Sequence, residues 1–387
     1  MKFAHLADCH IGGWREEKLR ELGLQSFEEA IDICIKENVG FVLISGDLFN
    51  SALPNIELIK RTAGILNKLK ENEISVYIVA GSHDYSGSGK TMLDVLEKAG
   101  LVDNVTKIEG NKLKITTDKT NTKISGLFGL KGGLERKYYQ ELDFSDIEKE
   151  EGFKIFMFHT ALNEFKPKDL ENVEGLELKK LPKNFNYYAG GHVHYIYEGK
   201  YGEGKVVFPG ALFPNNFKEL EEFKYGSFYI IDDKLNLSNI RIKLKNVLNI
   251  KINADNKTPE YIESELTSIK DFKDKIITIR IEGLLKSGKI SDIDFKKSLE
   301  YMKEAYVVLR NTNKLKSKEM ETINVQEDSV EALEENSIKE ISSDKFKEDF
   351  IKNLISLLDK EKKDGEKNID FENRIVSEIQ KIIDVKI

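Results

Sequence analysis

Five short apolar runs in the first half of the chain each break off into a turn that carries aspartate or histidine. The runs are 2–7, 41–45, 76–80, 155–158 and 187–189, and their β-branched and aromatic content favours strands over buried helices. The turns are Asp8-Cys9-His10, Gly46-Asp47, Gly81-Ser82-His83-Asp84, His159 and Gly191-His192-Val193-His194. Loops at strand ends of an α/β sheet converge on one cleft, so the pattern predicts a single site built from all five turns. Helical spacing fills the intervals, at 26–36 and at 56–70, where Ile59, Ala63, Leu66 and Leu69 recur on one side.

Residues 113–117 and 123–128 read as a hairpin, and 206–208 and 227–231 as further strands, so an α/β domain is expected over 1–245. From 246 the pattern restarts as strand, helix, strand, helix, strand (247–252, 260–270, 276–281, 292–304, 306–309), which predicts a small second domain over 246–314. The stretch 315–343 is rich in Glu, Lys, Ser and Asn without aromatics and reads as a charged linker. Two amphipathic helices are expected over 344–387. Phe346, Phe350, Leu354, Ile355 and Leu358 stripe the first, and Phe371, Ile375, Ile379 and Ile382 the second.

Composition narrows the function classes. A net charge of −7 excludes a generally basic nucleic-acid binder, so any DNA contact needs local patches. Lys131, Arg136, Lys137, Lys166 and Lys168 are the candidates. Two cysteines, Cys9 and Cys34, are too few for a disulfide framework and suggest a reducing compartment. The first ten residues turn polar at once and no apolar run reaches the ~20 residues of a membrane span, so a soluble, cytoplasmic protein is expected.

Of six histidines in the chain, five fall in the strand-end turns, beside Asp8 and Asp47. Mixed carboxylate and imidazole donors suit divalent manganese, iron or zinc, whereas oxygen-only sets suit magnesium or calcium. Asp-x-His and His-x-His on extended backbone would send both donors to one face. A carboxylate such as Asp47 can bridge two cations, and such a pair supports in-line attack on a phosphoryl group. His83 is the candidate proton donor or transition-state stabiliser, with Asp84 expected to orient its ring. His5, mid-strand, and Cys9, between two donors, are expected to be structural. Gly87-Ser88-Gly89-Lys90-Thr91 imitates the end of a phosphate-binding loop, but Asp84 stands where that motif needs its first glycine.

The ordered set D-x-H, GD, GNH[DE], H, GHxH resembles the calcineurin-like metallophosphoesterases. The segments Ile44-Ser45-Gly46-Asp47-Leu48-Phe49, Val76-Tyr77-Ile78-Val79-Ala80-Gly81 and Ser291-Asp292-Ile293-Asp294-Phe295 are similar, more narrowly, to the DNA double-strand-break repair nucleases of the SbcD/Mre-eleven type. The likeness runs over about 1–310 and is strongest before Gly210. It implies a two-sheet α/β sandwich flanked by helices, a small α/β capping domain and a C-terminal helical hairpin. It places Asp8, His10 and His194 on one manganese ion, His159 and His192 on a second, Asp47 between them, and His83 at the transition state. Ser82 stands where the family has an asparagine that ligates the second metal, so a weaker second site is expected. The resemblance further implies exonuclease or endonuclease action on DNA ends and docking of 344–387 on an ABC-type ATPase of the SbcC/Rad-fifty type. A homodimer through helices near 56–70 and 92–99 and a chromosome-associated location go with it. The alternatives are a catalytically weak DNA-binding scaffold in the same complex and a phosphodiesterase for small substrates.

Overall fold

A computed structural model describes residues 1–85, 91–166, 175–317 and 374–378. Contacts divide the chain into Met1–Lys316 and Ser317–Ile387. The first unit begins with β1 (Lys2–Leu6), α1 (Glu17–Lys36), β2 (Phe41–Ser45), α2 (Ile56–Glu71), β3 (Ser75–Val79), α3 (Met92–Lys98) and β4 (Asp103–Asn104). Short strands β5 (Ile108–Glu109), β6 (Lys112–Leu113) and β7 (Thr116–Thr117) lead to β8 (Lys123–Leu127) and two brief helices, α4 (Tyr138–Glu141) and α5 (Ser145–Lys149). Next come β9 (Lys154–His159), β10 (Tyr187–Gly191), β11 (Ile196–Tyr201), β12 (Gly204–Pro209), α6 (Phe217–Glu222), β13 (Gly226–Asp232) and β14 (Leu237–Ile242). The last stretch holds β15 (Val247–Asn253), α7 (Pro259–Ser268), β16 (Ile276–Leu285), α8 (Phe295–Tyr301) and β17 (Val307–Ser317).

Two six-stranded sheets form the larger part, in the orders β14-β13-β1-β2-β3-β4 and β11-β12-β10-β9-β8-β7. The central strands of each run parallel, β1 to β4 in one and β8, β9, β10 and β12 in the other. Side chains alternate between two buried faces, which is why these strands read as nearly continuous apolar runs. Phe3, Phe41, Leu43, Tyr77 and Val79 from one sheet meet Ile155, Met157, Tyr187, Ala189 and Val207 from the other in a shared inner core. Their neighbours Ala4, Leu6, Val42, Ile44, Ile78, Phe156, Phe158 and Phe208 turn outward to a second core that includes Phe27, Ile31, Leu66 and Leu69 of α1 and α2. Phe3 stacks on Phe41 at 5.2 Å and meets Tyr187 edge-on at 5.2 Å, geometries worth about 0.5–1.5 kcal/mol per pair beyond burial. The α/β sandwich expected from the sequence is the fold observed.

Helix α1 starts at Glu17, well before the expected 26. Its first turns bury Leu19 and Leu22 against Phe213, Leu220, Val247 and Ile276, partners that lie far off in sequence. Gly23 sits inside the helix and is buried.

Strands β15, β16 and β17 form a separate three-stranded sheet. It has its own core, in which Ile252, Ile277, Ile279 and Ile281 pack on Ile262 and Leu266 of α7. Strand β17 continues to Ser317, so the first residues of the expected 315–343 linker belong to the sheet. The rest of that linker lies outside the described residues. So does the 344–387 hairpin, apart from 374–378, which are helical.

Candidate metal centre

Every strand that delivers a site residue is a central parallel one, and each delivers it at the C-terminal end. Asp8 and His10 follow β1, Asp47 follows β2, Ser82, His83 and Asp84 follow β3, His159 closes β9, and His192 and His194 follow β10. The first three strands belong to one sheet and the last two to the other, so the cleft straddles the rim of the sandwich.

The backbone there is not extended, contrary to the expected alternation. Asp8 (φ 50°), His10 (φ 43°), Asp47 (φ 51°) and His192 (φ 86°) all adopt left-handed conformations, each costing on the order of 1–3 kcal/mol outside glycine. Pairing between the two turns holds this strain. Asp8 N–H donates to Gly46 O at 3.1 Å, His10 N–H to Asp47 O at 2.9 Å and Ile11 N–H to Leu48 O at 3.0 Å. Gly46 itself has φ 84°, and a Cβ there would run into the His159 ring. A Cβ on Gly81 would strike Asp47. Glycine is required at both positions by the close approach of the ligand-bearing turns.

Three overlapping groups of donors lie within 4.8 Å: Asp8, His10 and His194; His10, Asp47 and His83; and Asp8, Asp47 and His159. His10 Nε2 stands 3.0 Å from His194 Nε2 and 3.6 Å from Asp47 Oδ2. His159 Nε2 stands 3.2 Å from Asp47 Oδ2. His192 joins none of these groups. Its backbone N–H donates to both Asp8 oxygens at 3.0 and 3.1 Å, and its ring packs edge-on against His159 at 5.2 Å. Ser82 is buried in the turn beside Asp47.

Hydrogen bonds fix the tautomers. His159 Nδ1–H donates to Ser45 O at 2.8 Å, and His194 Nδ1–H to Glu219 Oε1 at 2.8 Å. Each turns its Nε2 into the site, His159 toward Asp47 Oδ2 at 3.2 Å and His194 toward His10 Nε2 at 3.0 Å. His83 Nδ1–H donates to Asn50 O at 2.9 Å, and its backbone N–H to Asp47 Oδ1 at 2.7 Å. The expected Asp84–His83 contact is replaced by another. Asp84 accepts backbone N–H bonds from Leu48, Phe49 and Gly81 at 3.2, 3.0 and 3.0 Å, so it ties the Asp47 turn to the His83 turn. Orientation of the His83 ring comes from Asn50.

Burial and neighbouring charge oppose each other here. Burial pushes the Asp8 carboxyl up to about 7. Burial, with His194 next, holds His10 down at about 3, so its ring is neutral. At His159 burial works downward, but the charge and hydrogen bond of Asp47, the Asp8 charge and the Ser45 carbonyl together outweigh it and raise the ring to about 10. Asp47 is held well below the carboxylate range, because His159 and His10 overcome the upward effect of its own burial. In the metal-free protein a proton therefore shares the gap between His159 Nε2 and Asp47 Oδ2, where a cation would compete for the same lone pairs. Converging imidazole Nε2 atoms and buried carboxylates make this donor set fit divalent cations.

The two expected structural residues are both in the core. His5 is fully buried between the sheets, bonded to Tyr187 Oη at 2.9 Å and Ser45 Oγ at 3.0 Å, and Cys9 is buried among apolar side chains. Lys131, Arg136 and Lys137 lie on the 3-10 helical turns after β8 and Lys166 on the loop after β9, at the same end of the sandwich as the donors. Lys168 and the 87–90 segment lie outside the described residues. Glu219 and Asn50 were not read from the sequence. An Asn216-x-x-Glu219 capping pattern was visible, but its reach to His194 depends on the fold.

The family model for calcineurin-like phosphoesterases matches residues 1–195. The chain is 30% identical over 298 residues to the DNA double-strand break repair protein Mre11 of Methanococcus maripaludis, covering 72% of this chain and 76% of that protein. It is 26% identical to the Mre11 protein of Archaeoglobus fulgidus, over 74% of this chain and 64% of the relative. The corresponding protein of Methanocaldococcus jannaschii is 28% identical, over 71% of this chain and 72% of the relative.

Proposed function

The chain belongs to the calcineurin-like metallophosphoesterases and groups within them with the Mre11 repair proteins, and from this membership we propose a manganese-dependent DNA nuclease that processes broken ends. As a metal-dependent phosphodiester hydrolase it needs a cation centre, a proton donor and a way to hold DNA. The observation that carries the reading is the convergence of Asp8, His10, Asp47, His159 and His194 within a few ångströms, with imidazole Nε2 atoms facing carboxylates.

In this assignment Asp8, His10 and His194 hold one cation, His159 and His192 hold the other, and Asp47 lies between them. The His192 ring completes its site by turning in from its packing on His159. Two divalent cations bound there supply Lewis acidity and neutralise charge on the phosphoryl oxygens. His83, with Nδ1–H committed to Asn50 O, keeps Nε2 for the substrate, and as the imidazolium it donates its Nε2 proton to the departing alkoxide or stabilises its charge. The basic residues Lys131, Lys137 and Lys166 at this end of the sandwich bind DNA phosphates.

Partner assignments rest on surface and sequence pattern. Leu53 in the turn before α2, Ile56 at the start of α2 and Val95 on α3 are exposed at 76%, 83% and 54%, which suits a homodimer contact through those helices. The apolar stripes through Phe350 and Leu354 and through Ile375 and Ile379 suit docking on an ABC-type ATPase. Among the described residues no helix is long and apolar enough to cross a membrane. The test is cleavage of linear duplex DNA and of a chromogenic phosphodiester, with manganese and with chelator. Manganese-dependent cutting of DNA supports the reading. Turnover of the small diester alone would favour a small-substrate phosphodiesterase, and no cutting with intact DNA binding would favour a scaffold.

A further inference from the structure

Helix α6 touches the metal centre with one side and the three-stranded sheet with another. At its third position Glu219 accepts His194 Nδ1–H on Oε1 at 2.8 Å and Asn215 N–H on Oε2 at 2.7 Å. The Asn216 amide also donates to Oε1 at 2.5 Å, and Asn216 Oδ1 accepts Glu219 N–H at 3.0 Å. Two residues on, Glu221 accepts Arg280 Nε of β16 on both oxygens at 2.9 and 3.0 Å, and its carbonyl accepts the Asn249 amide of β15 at 2.7 Å. The Arg280 guanidinium lies 5.1 Å over the Phe217 ring, and Leu220 is buried against Val247 and Ile276. So short a helix has little stability of its own. Its position is set by what grips it.

We infer that Glu219 is a positioning residue for the metal centre, and that the three-stranded sheet sets its position through the Arg280–Glu221 bridge. The inference rests on the metal-site reading above. A carboxylate on the far nitrogen of a ligating imidazole fixes the tautomer and raises the basicity of the near nitrogen. Here it aims His194 Nε2 at His10 Nε2, 3.0 Å away, and at Asp8 Oδ1, 3.8 Å away. A role limited to capping would need the Asn215 and Asn216 bonds alone. The Oε1 bond to His194 adds nothing to the cap.

The full-length chain carries the test, with Glu219→Gln, Glu219→Ala, Arg280→Met and the Glu219→Ala/Arg280→Met double variant. Manganese affinity is read by calorimetry, and the His194 tautomer by nitrogen NMR on metal-free, histidine-labelled protein. The parent is expected to show Nδ1–H at His194. Glu219→Ala is expected to lose that preference and weaken manganese binding by roughly 10- to 100-fold, with Gln intermediate because its carbonyl still accepts the proton. Arg280→Met is expected to weaken binding less, and the double variant to bind no worse than Glu219→Ala, since both act through one side chain. An Nε2–H tautomer in the parent, or parental affinity in Glu219→Ala, would overturn the positioning role. Losses that multiply in the double variant would overturn the link to the sheet. If the alanine variant does not fold, the parent tautomer and the Gln affinity decide. If the parent binds no manganese, the metal-site reading fails, while the tautomer readout still judges Glu219.

Discussion

His10 Nε2 and His194 Nε2 face each other at 3.0 Å although the two residues are 184 positions apart. The His194 proton is committed to Glu219 through Nδ1, and His10 is held neutral by burial. Two imidazole nitrogens brought this close share either a proton or a cation.

Asp47→Asn is expected to lose metal as well as activity. It removes the charge that faces both His10 and His159, at 3.6 and 3.2 Å, and leaves the buried Nε2 of His159 facing a neutral amide. Metal content after dialysis against a weak chelator checks this. A parental metal content would remove Asp47 from the ligand set.

His83→Ala is expected to keep its metals and lose cutting by roughly 10²–10⁴-fold, the usual contribution of a positioned proton donor. Its ring is anchored by Asn50 O at 2.9 Å, so Asn50 contributes through its backbone and Asn50→Ala should be much milder. DNA cleavage at the parental rate by His83→Ala would show that the ring is a bystander.

Ser82 should leave the His159/His192 site the looser of the two. A serine hydroxyl is short and competes poorly with water for a divalent cation, and a bridging water costs about 0–2 kcal/mol. Calorimetry is expected to resolve a tight and a looser manganese event, with Ser82→Asn tightening the looser one by on the order of tenfold. Two equally tight events, indifferent to that substitution, would make Ser82 a turn residue only.

Manganese affinity should rise with pH. His159 in the metal-free fold is raised to about 10 by Asp47 despite its burial, from about 6.5 when unfolded. Its pairing with Asp47 therefore stabilises the metal-free fold fully below pH 6.5 and ceases to do so as pH rises through about 10. A cation must displace that proton, and below pH 7 also the one on Asp8, whose carboxyl burial lifts to about 7. His194 is likewise raised by Glu219 against its burial, so binding is expected to release more protons at pH 6 than at pH 8, which calorimetry in buffers of different ionisation enthalpy measures. Affinity that stays flat from pH 6 to 9 would mean that His159 is already neutral.

The strands of the sandwich were readable because both faces are buried, so each gives a compact apolar run such as Phe41–Ser45. The donor turns were readable because five of the six histidines in the chain gather there beside Asp8 and Asp47. What escaped depends on contacts distant in sequence. The early start of α1 is set by Phe213 and Val247. The left-handed turns at Asp8 and His10 are held by the backbone of Gly46 and Asp47. Asp84 was assigned to His83 by adjacency, whereas its carboxylate reaches back to Leu48 and Phe49.

Anomalous diffraction at the manganese edge, from crystals soaked in manganese, tests the two-metal centre most directly. Two peaks about 3.5–4 Å apart are expected, one contacted by Asp8, His10 and His194, the other by His159 and His192, with Asp47 reaching both. A single peak, or peaks away from these side chains, would contradict it.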